Sequence, residues 1–181
     1  AFSKVLTESN TTHKSVPMLM SDITAYNFDS IYHQKGIITA FKEAGYQTAF
    51  FSNQRYNHSF IDFFGKEADT FDFIKEDSLD SAYNPSDDEL LALVAKELSK
   101  GNQKQFIVLH TYGSHVNYRE RYPSEDAFFL PDYPVEAEVK YRDNLVNAYD
   151  NTIRYTDSFL SRLIHMLEEQ HVDAAMLYTS D

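Results

Sequence analysis

The sequence predicts an α/β protein with a largely parallel central sheet flanked by helices. Segments with helical periodicity alternate along the chain with short apolar runs of strand length, an order that places helices on the faces of a parallel sheet. The 181 residues are enough for one domain with a substantial core. An apolar fraction of 43%, with 15% aromatic residues, is typical of a globular rather than a disordered protein.

A helix is predicted over residues 37–44, where apolar side chains recur at helical spacing, and Gly45 is the expected helix stop. Residues 48–51 follow as a short buried strand. The polar residues 52–54 then predict a loop at the carboxyl end of that strand. A second, short strand at an edge of the sheet is expected over residues 70–74.

The second half of the chain predicts two further helix–strand pairs. A helix with Leu and Val on one face follows a Pro-Ser-Asp sequence, in which Ser86 or Asp87 is the expected N-cap. Residues 106–109 are continuously apolar, as in a strand buried on both faces. A long helix is predicted over residues 139–170, and residues 174–181 are predicted to form a final buried strand.

The composition excludes several classes of function. The net charge of −12 argues against a nucleic-acid partner, because a phosphate-binding surface needs clustered Lys and Arg. The absence of cysteine excludes disulfides, thiolate metal sites and a cysteine nucleophile. No apolar run is long enough to span a membrane and no signal peptide is visible, so we expect Ala1 to be an internal boundary.

Polar side chains follow the predicted strands at their carboxyl ends, where parallel sheets bind ligands. Asn53 and Gln54 either support a site from behind or satisfy backbone groups at the strand end. His110 lies nearer its strand, so we expect a supporting or core histidine there rather than a direct ligand. The full set comprises Asn53, Gln54, His58, His110, His115 and Asp181.

Three of these side chains have both a structural and a chemical interpretation. Asp181 is either a turn former or helix cap, the commoner role after a strand, or a carboxylate ligand of a metal. His115 projects from a loop in which Gly113 permits a tight turn, and is either a ligand of zinc or phosphate or a loop histidine without a role. His58 is either a phosphate contact or part of the N-cap region of a short helix over residues 59–64.

Two adjacent threonines, Thr11 and Thr12, precede a predicted helix that contains Pro17. Ser15 is the expected N-cap of that helix, which leaves both threonines free of capping. The N-terminal end of the helix dipole favours an alkoxide or a phosphoester. A threonine is a poor nucleophile unless a base or a metal lowers its pKa, so the spacing alone leaves its role open.

Taken together, five segments resemble a known family. In chain order they read TTHKSVPMLMS, GYQTAFFSNQ with a following His, FIVLHTYGSH, NAYDNTIRYTDSFL and MLYTSD. They are similar to the catalytic domain of bacterial phosphoethanolamine transferases, enzymes of the alkaline phosphatase/sulfatase superfamily that modify lipid A and related glycans. The resemblance covers nearly the whole chain, and the motifs are specific as a set although each is weak alone.

The resemblance implies a role for each matching position. Thr12, five residues before Pro17, matches the zinc-bound nucleophile of the family, whereas Thr11 does not. Asp181 matches a zinc-ligating aspartate. His115 matches the histidine that contacts the substrate phosphate or a second zinc, and His58 falls where relatives carry a Lys or His close to the phosphoryl group. Asn147, Tyr149 and Asp150 match the start of a helix to which we assign a packing role.

The implied reaction is a double displacement that depends on Zn²⁺. Phosphatidylethanolamine is the expected donor, a phospho-threonine the intermediate, and lipid A or a related glycan the acceptor. The resemblance further implies an enzyme of the inner membrane of a Gram-negative bacterium, with its catalytic domain facing the periplasm. Residues 1–181 would then be one partial sulfatase-like catalytic domain, with the membrane domain and the C-terminal part of the catalytic domain outside this chain.

Two departures from the family pattern limit what this chain can do alone. The family's zinc site also uses a glutamate upstream of the threonine and a histidine directly after the Ser-Asp pair. Glu8 is too close to Thr12 to be that glutamate, and nothing follows Asp181 in this chain. A catalytic zinc needs at least three protein ligands, so we expect these residues alone to bind zinc poorly and to turn over little or no substrate.

Other functions stay open at this stage. A phosphodiesterase or phosphatase of the same superfamily would use the same residues, with water in place of the acceptor. A sulfatase is disfavoured, because formylglycine requires a Cys- or Ser-x-Pro-x-Arg sequence and none surrounds Pro17. A soluble interaction domain, in which the polar loops only cap helices, is the non-enzymatic alternative.

Overall fold

The computed structural model describes residues 6–56, 58–75, 85–101 and 104–181. Within these ranges the helices and strands alternate as the sequence predicts. In chain order they are α1 Thr12–Met20, α2 Ile37–Glu43, β1 Gln47–Arg55, α3 Phe60–Gly65, β2 Thr70–Lys75, α4 Glu89–Leu98, β3 Gln105–His110 and α5 Arg142–Glu169. Short 3₁₀ helices cover Phe28–His33, Tyr118–Glu120, Ser124–Asp126 and Val139–Tyr141.

The three strands form one parallel sheet in the order β2-β1-β3. This arrangement confirms the predicted α/β class and the edge position of the strand predicted over residues 70–74. Ser52 on β1 pairs with His110 on β3, so the polar ends of the two strands lie side by side. The pairing of β1 with β2 shifts between Ser52 and Arg55, an irregularity of the kind that re-aims side chains at functional edges.

Strand β1 forms the centre of the core because its two faces are covered by different helices. Successive side chains of a strand point to opposite faces. Phe50 packs with Val16 of α1, Ile38 of α2 and Phe64 of α3. On the other face, Ala49 and Phe51 pack with residues of α4 and α5, namely Leu90, Val94, Phe159 and Leu163. The result is a three-layer arrangement with the sheet between two helical layers.

Helix α2 ends where the sequence predicts. Its C-cap is Ala44, and Gly45 follows with a φ of +85°, in the left-handed region that glycine adopts without a steric penalty. Helix α3 begins with a capping box, in which Ser59 accepts from the Ile61 N–H and Asp62 accepts from the Ser59 N–H. These local signals fix the end of α2 and the start of α3.

Three predictions about the strands are wrong. Residues 52–54 belong to β1 rather than to a loop, because their polar side chains or backbone groups find buried partners. Strand β3 is half-buried along its whole length, not buried on both faces, and among the described residues it pairs with β1 alone. Residues 174–181 are exposed and form no strand. Their apolar composition suits a strand, but a strand also needs a pairing partner, which a local pattern does not supply.

Helix α5 confirms the long helix predicted over residues 139–170, apart from a 3₁₀ turn at its start. It buries Ala148, Tyr155, Phe159 and Leu163 along one stripe. None of the helices in the described residues is both long and apolar enough to cross a membrane.

Candidate active site

The threonine pair lies at the start of α1. Thr11 is the N-cap residue and Thr12 the first helical residue, and no side chain caps this end. The prediction that Ser15 caps the helix is wrong: because α1 begins at Thr12, Ser15 is an internal and buried residue. Thr12 is partly exposed at the N-terminal end of the helix dipole, which favours a negative charge.

Asp181 contacts α1 through Ser15. The Ser15 hydroxyl, in a side chain only 1% exposed, is placed to donate to Asp181 Oδ2 or to the Thr11 carbonyl oxygen, each at 3.0 Å. Residues three apart on a helix share a face, so Ser15 and Thr12 lie on the same side of α1. The structure therefore places Asp181 against the same face of α1 that carries Thr12.

His110, the last residue of β3, joins the two central strands at their carboxyl ends. Its Nδ1 lies 3.0 Å from the hydroxyl of the buried Ser52, its cross-strand neighbour. Burial lowers the pKa of His110, and the opposing charges of Asp181, Asp87 and Asp62 reduce that shift without reversing it. The imidazole is therefore neutral at pH 7, which agrees with the predicted supporting role.

Asp87 holds the loop that carries His115. Its carboxylate, in a residue 6% exposed, accepts hydrogen bonds from the backbone N–H of Tyr112 at 2.8 Å and of Gly113 at 2.9 Å. It also accepts one from Asn53 Nδ2 at 2.8 Å. The prediction of Ser86 or Asp87 as the N-cap is wrong, since Asp88 occupies the N-cap position of α4 and no side chain caps that helix.

His115 itself is exposed at the end of this loop. Its ring packs edge-on against Tyr112 with centroids 5.7 Å apart, and its Nδ1 lies 3.2 Å from the Val116 carbonyl oxygen. Gly113 has a φ of +55°, a conformation that an L side chain rarely adopts, so the turn before His115 favours glycine.

His58 lies on a separate loop, between β1 and α3. It is exposed, its φ is +58°, and its ring packs edge-on against Tyr56 at 4.6 Å. The capping of α3 is carried by Ser59, so His58 is not itself the cap. Among the contacts of the described residues, neither His58 nor His115 bonds to Thr12 or Asp181.

Asn53 and Gln54 lie behind the site, in the irregular part of β1. The Asn53 amide donates to Pro85 O at 3.1 Å and to Asp87, while the Gln54 N–H donates to Ser52 Oγ at 3.0 Å. A small cavity beside His110 is lined by Ser52, Gln54, Arg55, Ser59, Ile61, Asp62 and Phe73. Both residues thus contact the side chains or loops that frame the site, and their predicted supporting role stays a prediction.

Asparagines on α5 hold a second loop beside the first. Asn151, 1% exposed, accepts the N–H groups of both Phe128 and Phe129 at 2.9 Å and donates to Phe129 O at 3.0 Å. Asn144 and Asn147, on the same helix face, each donate to a carbonyl oxygen of the loop at 2.9 Å. The packing role predicted for Asn147 therefore takes the form of a hydrogen bond.

This second loop is tied to the His115 loop by a buried tyrosine. Tyr122 donates to Asp132 Oδ2 at 2.8 Å and accepts from Asn151 Nδ2 at 3.2 Å. Burial, with the bond to Asp132, raises the pKa of Tyr122 to about 12. Arg119 pairs with the same Asp132 carboxylate at 3.0 Å, which links residues 119–132 into one unit.

The sequence missed Asp87, Ser15 and Asn151 as determinants of this region. Asp87 and Asp88 stand together before a helix, and nothing local tells which of them faces a loop 25 residues away in sequence. The chemical type of Asn151, a polar residue on the buried face of a helix, is the one signal that could have identified it, since buried amides need partners.

The residues present fit part of a zinc site. A threonine hydroxyl and an aspartate are both oxygen donors that zinc accepts, and Asp181 has a second oxygen besides the one facing Ser15. The described residues contain no group of three His, Cys, Asp or Glu side chains that could hold a metal ion. Glu8 is already engaged, because its Oε2 accepts the Ala25 N–H at 2.8 Å.

A family model described as Sulfatase matches residues 1–181. The chain belongs to the Sulfatase family. Among the relatives of this Sulfatase-family chain, the Kdo(2)-lipid A phosphoethanolamine 7''-transferase of Escherichia coli (strain K12) is 33% identical over 97 residues, which are 52% of this chain and 17% of that protein.

Solved structures of phosphoethanolamine transferases share the fold. The C-terminal periplasmic domain of phosphoethanolamine transferase EptC from Campylobacter jejuni is 27% identical, with a TM-score of 0.72 over 91% of this chain and 50% of that one. The C-terminal periplasmic domain of EptC from Escherichia coli, in a complex with Zn, is 22% identical, with a TM-score of 0.80 over 93% and 48%. These similarities confirm the predicted sulfatase-like fold and the resemblance to phosphoethanolamine transferases.

The chain spans only part of its relatives. One curated relative aligns with 99% of this chain, but the alignment covers only 30% of that relative's length. The catalytic domains of known structure are covered to about half.

Proposed function

We propose that this chain is part of the catalytic domain of a zinc-dependent phosphoethanolamine transferase. The donor in this proposal is phosphatidylethanolamine, and the acceptor is lipid A or a related glycan. The intact enzyme would be held in the inner membrane of a Gram-negative bacterium, with this domain in the periplasm. The activities for which the relatives are named support the transferred group and the lipid A acceptor, and the periplasmic location is that of the solved relatives.

One observation in the structure carries the proposal. Asp181 lies against α1 through Ser15, on the helix face that also carries Thr12. A hydroxyl at the N-terminal end of a helix, beside a carboxylate, is the arrangement that a metal-assisted oxygen nucleophile requires. This placement of Asp181 on the Thr12 face of α1 supports the assignment of both residues to one zinc.

In the proposed reaction, Thr12 Oγ attacks the phosphorus of the donor and its proton is lost to a base. Diacylglycerol leaves with the electron pair of the broken P–O bond and takes up a proton. Phosphoethanolamine is then bonded to Thr12. An oxygen of an acceptor phosphate or hydroxyl attacks the same phosphorus, and a hydroxyl acceptor loses its proton to a base. The Thr12 oxygen leaves with the electron pair of the broken P–O bond and takes up a proton. The N-terminal dipole of α1 stabilises negative charge that develops at Thr12 Oγ and on the phosphoryl oxygens.

Thr12 and Asp181 would hold the zinc, together with ligands from outside this chain. When bound, zinc lowers the pKa of a coordinated hydroxyl and so makes it nucleophilic near neutral pH. His115 and His58 are assigned to the phosphoryl oxygens. Both are exposed on loops at the same edge of the sheet, where a bound substrate can reach them.

Membership of the Sulfatase family does not make this chain a sulfatase in our proposal. The sequence has no cysteine, and Ser15-Val16-Pro17 is followed by Met18 and Leu19 rather than by a residue and an arginine. Hydrolysis at the same Thr12 is the remaining alternative, and it would release free phosphoethanolamine.

The test is Thr12→Ala in the intact, membrane-embedded protein. We expect transfer to lipid A to fall at least about a thousandfold, because removal of a nucleophile abolishes the covalent step. Mass spectrometry measures modified lipid A, free phosphoethanolamine and a phosphoethanolamine adduct on the Thr12 peptide. Free phosphoethanolamine in place of modified lipid A would identify a hydrolase.

Thr11→Ala is the matched control, since Thr11 is the neighbouring exposed threonine and provides no side-chain cap. It should retain activity within about threefold. Wild-type transfer by Thr12→Ala, or an adduct on Thr11, would contradict the nucleophile assignment.

A further inference from the structure

Asp87 makes an unusual set of contacts for a residue that precedes a helix. Its carboxylate accepts two consecutive backbone N–H groups, from Tyr112 and Gly113, and one side-chain amide hydrogen from Asn53. All three distances lie between 2.8 and 2.9 Å, and the residue is buried. Bonds to an ionised acceptor are about twice as strong as neutral ones, so this cluster fixes the backbone at residues 112–113.

The Asn53 amide contributes to this cluster at a cost. Both of its hydrogens are engaged, one with Asp87 and the other with Pro85 O. Its Oδ1 is buried without a hydrogen-bond partner among the described residues. Turning the amide over would place Oδ1 against the Asp87 carboxylate and the Pro85 carbonyl oxygen, two acceptors that cannot donate to it and that repel it. Asn53 is therefore held in an orientation that serves Asp87.

The turn that Asp87 holds determines where His115 lies. Gly113 has a φ of +55°, and its N–H points to Asp87 Oδ2. The Tyr112 ring, on the same turn, packs against the His115 imidazole. Arg121 lies over the Tyr112 ring at 4.2 Å from its centroid and supports that ring from the loop beyond. The exposed His115 therefore follows a turn whose backbone is held by the buried Asp87 carboxylate.

We propose that Asp87 is a positioning residue that acts through His115. This positioning role rests on the proposed function, in which His115 contacts the substrate phosphoryl group. Asp87 sets the conformation of the turn at residues 112–113, and the turn places the imidazole relative to Thr12. Asp87 itself need not contact the substrate.

The first experiment is a double-mutant cycle with Asp87→Asn and His115→Ala in the intact protein. An asparagine at 87 keeps the size but turns one acceptor into a donor, which then faces an N–H group. We expect kcat for phosphoethanolamine transfer to fall about ten- to a hundredfold in Asp87→Asn, the usual effect of a displaced catalytic group. In the His115→Ala background the same change should cost less than about twofold.

A purely structural role for Asp87 predicts a different cycle. The losses of the two variants would then multiply, because destabilisation does not depend on which side chain stands at 115. Multiplying losses would overturn the proposal, and so would wild-type activity of His115→Ala, which would leave nothing to position.

Asp88→Asn is the matched control. It removes the same charge one residue later, but Asp88 faces Arg162 on α5 with an N–O distance of 2.7 Å instead of the His115 loop. Its kcat should stay within about twofold of wild type. A loss in Asp88→Asn equal to that in Asp87→Asn would assign the effect to helix α4 and overturn the proposal.

Gly113→Ala provides a second variant if Asp87→Asn does not fold. The alanine strains the same turn from the other side and leaves the Asp87 carboxylate in place. The proposal expects the same lack of additivity with His115→Ala. Thr12→Ala separates the two levels: if Thr12→Ala is inactive while the cycle is additive, the transferase function stands and only the positioning role of Asp87 fails.

Discussion

The two sides of the candidate site are built differently. On one side, which we term the α1 side, a hydrogen bond from Ser15 to the exposed Asp181 links residue 181 to α1. On the other, the loops over residues 111–134, which we term the braced loops, are held by the buried acceptors Asp87 and Asn151. Those two side chains together accept four backbone N–H groups.

The difference shows how the fold distributes rigidity around the site. The braced loops are organised by this chain alone, so groups they carry are preorganised before any ligand arrives. Among the residues that the structure describes, Asp181 contacts the α1 side through Ser15 alone, which suits a region that a metal ion would complete. Breaking each side separately tests this contrast.

Asn151→Ala should give the largest effect. It removes the partners of two N–H groups, one carbonyl oxygen and Tyr122, so the free energy of unfolding of the braced loops should fall by about 2–3 kcal/mol. Hydrogen exchange of peptides covering residues 122–134 in the intact protein measures the loss. Asn147→Ala, which removes one bond to Pro131 O, is the control and should cost less than about 1 kcal/mol. Equal effects of both variants would contradict the central role of Asn151.

Metal removal should act on the α1 side alone. After chelation of the intact protein, we expect hydrogen exchange to rise about tenfold in peptides covering the start of α1 and residues 174–181, because the carboxylate and hydroxyl lose their shared ligand. Peptides covering residues 111–134 should be unchanged. An equal rise on both sides, or none, would refute the division of the site into a metal-dependent and a self-supporting side.

His110 lies between the two sides and gives the smallest expected effect. Its pKa is lowered by burial, against the charges of Asp181, Asp87 and Asp62. Since the unfolded state takes up the proton first as the pH falls, stability should decrease below the ordinary histidine pKa of about 6.5. His110→Gln should flatten this decrease while keeping a partner for Ser52. Melting temperatures between pH 5 and 8 measure it, and parallel curves for both proteins would contradict it.

Local sequence signals were sufficient for most of the elements. The stop of α2 at Gly45, the edge strand over residues 70–74 and the length of α5 follow from turn chemistry and periodicity, which act within a few residues. The same signals predicted a strand over residues 174–181 that does not form, because apolar composition is a local property while strand pairing depends on distant residues. They also predicted β1 too short, because Ser52 and Asn53 belong to the strand through hydrogen-bond partners far away in sequence.

The candidate site divides in the same way. Motifs predict Thr12, Asp181, His58 and His115 as site residues, and the structure sets Asp181 against the helix of Thr12. Motifs could not give Asp87, because a carboxylate before a helix looks like a cap whether it bonds to the helix or to a loop 25 residues later. Residues that act through the backbone of another segment leave no pattern in their own neighbourhood.

The asparagines of α5 have a consequence for the surface that they support. Phe128, Leu130 and Tyr133 stand well out in solvent, at 63%, 65% and 68% exposure, on a path dictated by α5 instead of by their own side chains. In this part of the molecule, the path of the backbone is therefore independent of which side chains face the solvent. Its outer aromatic and aliphatic groups can be exchanged for others while the chain beneath keeps its course.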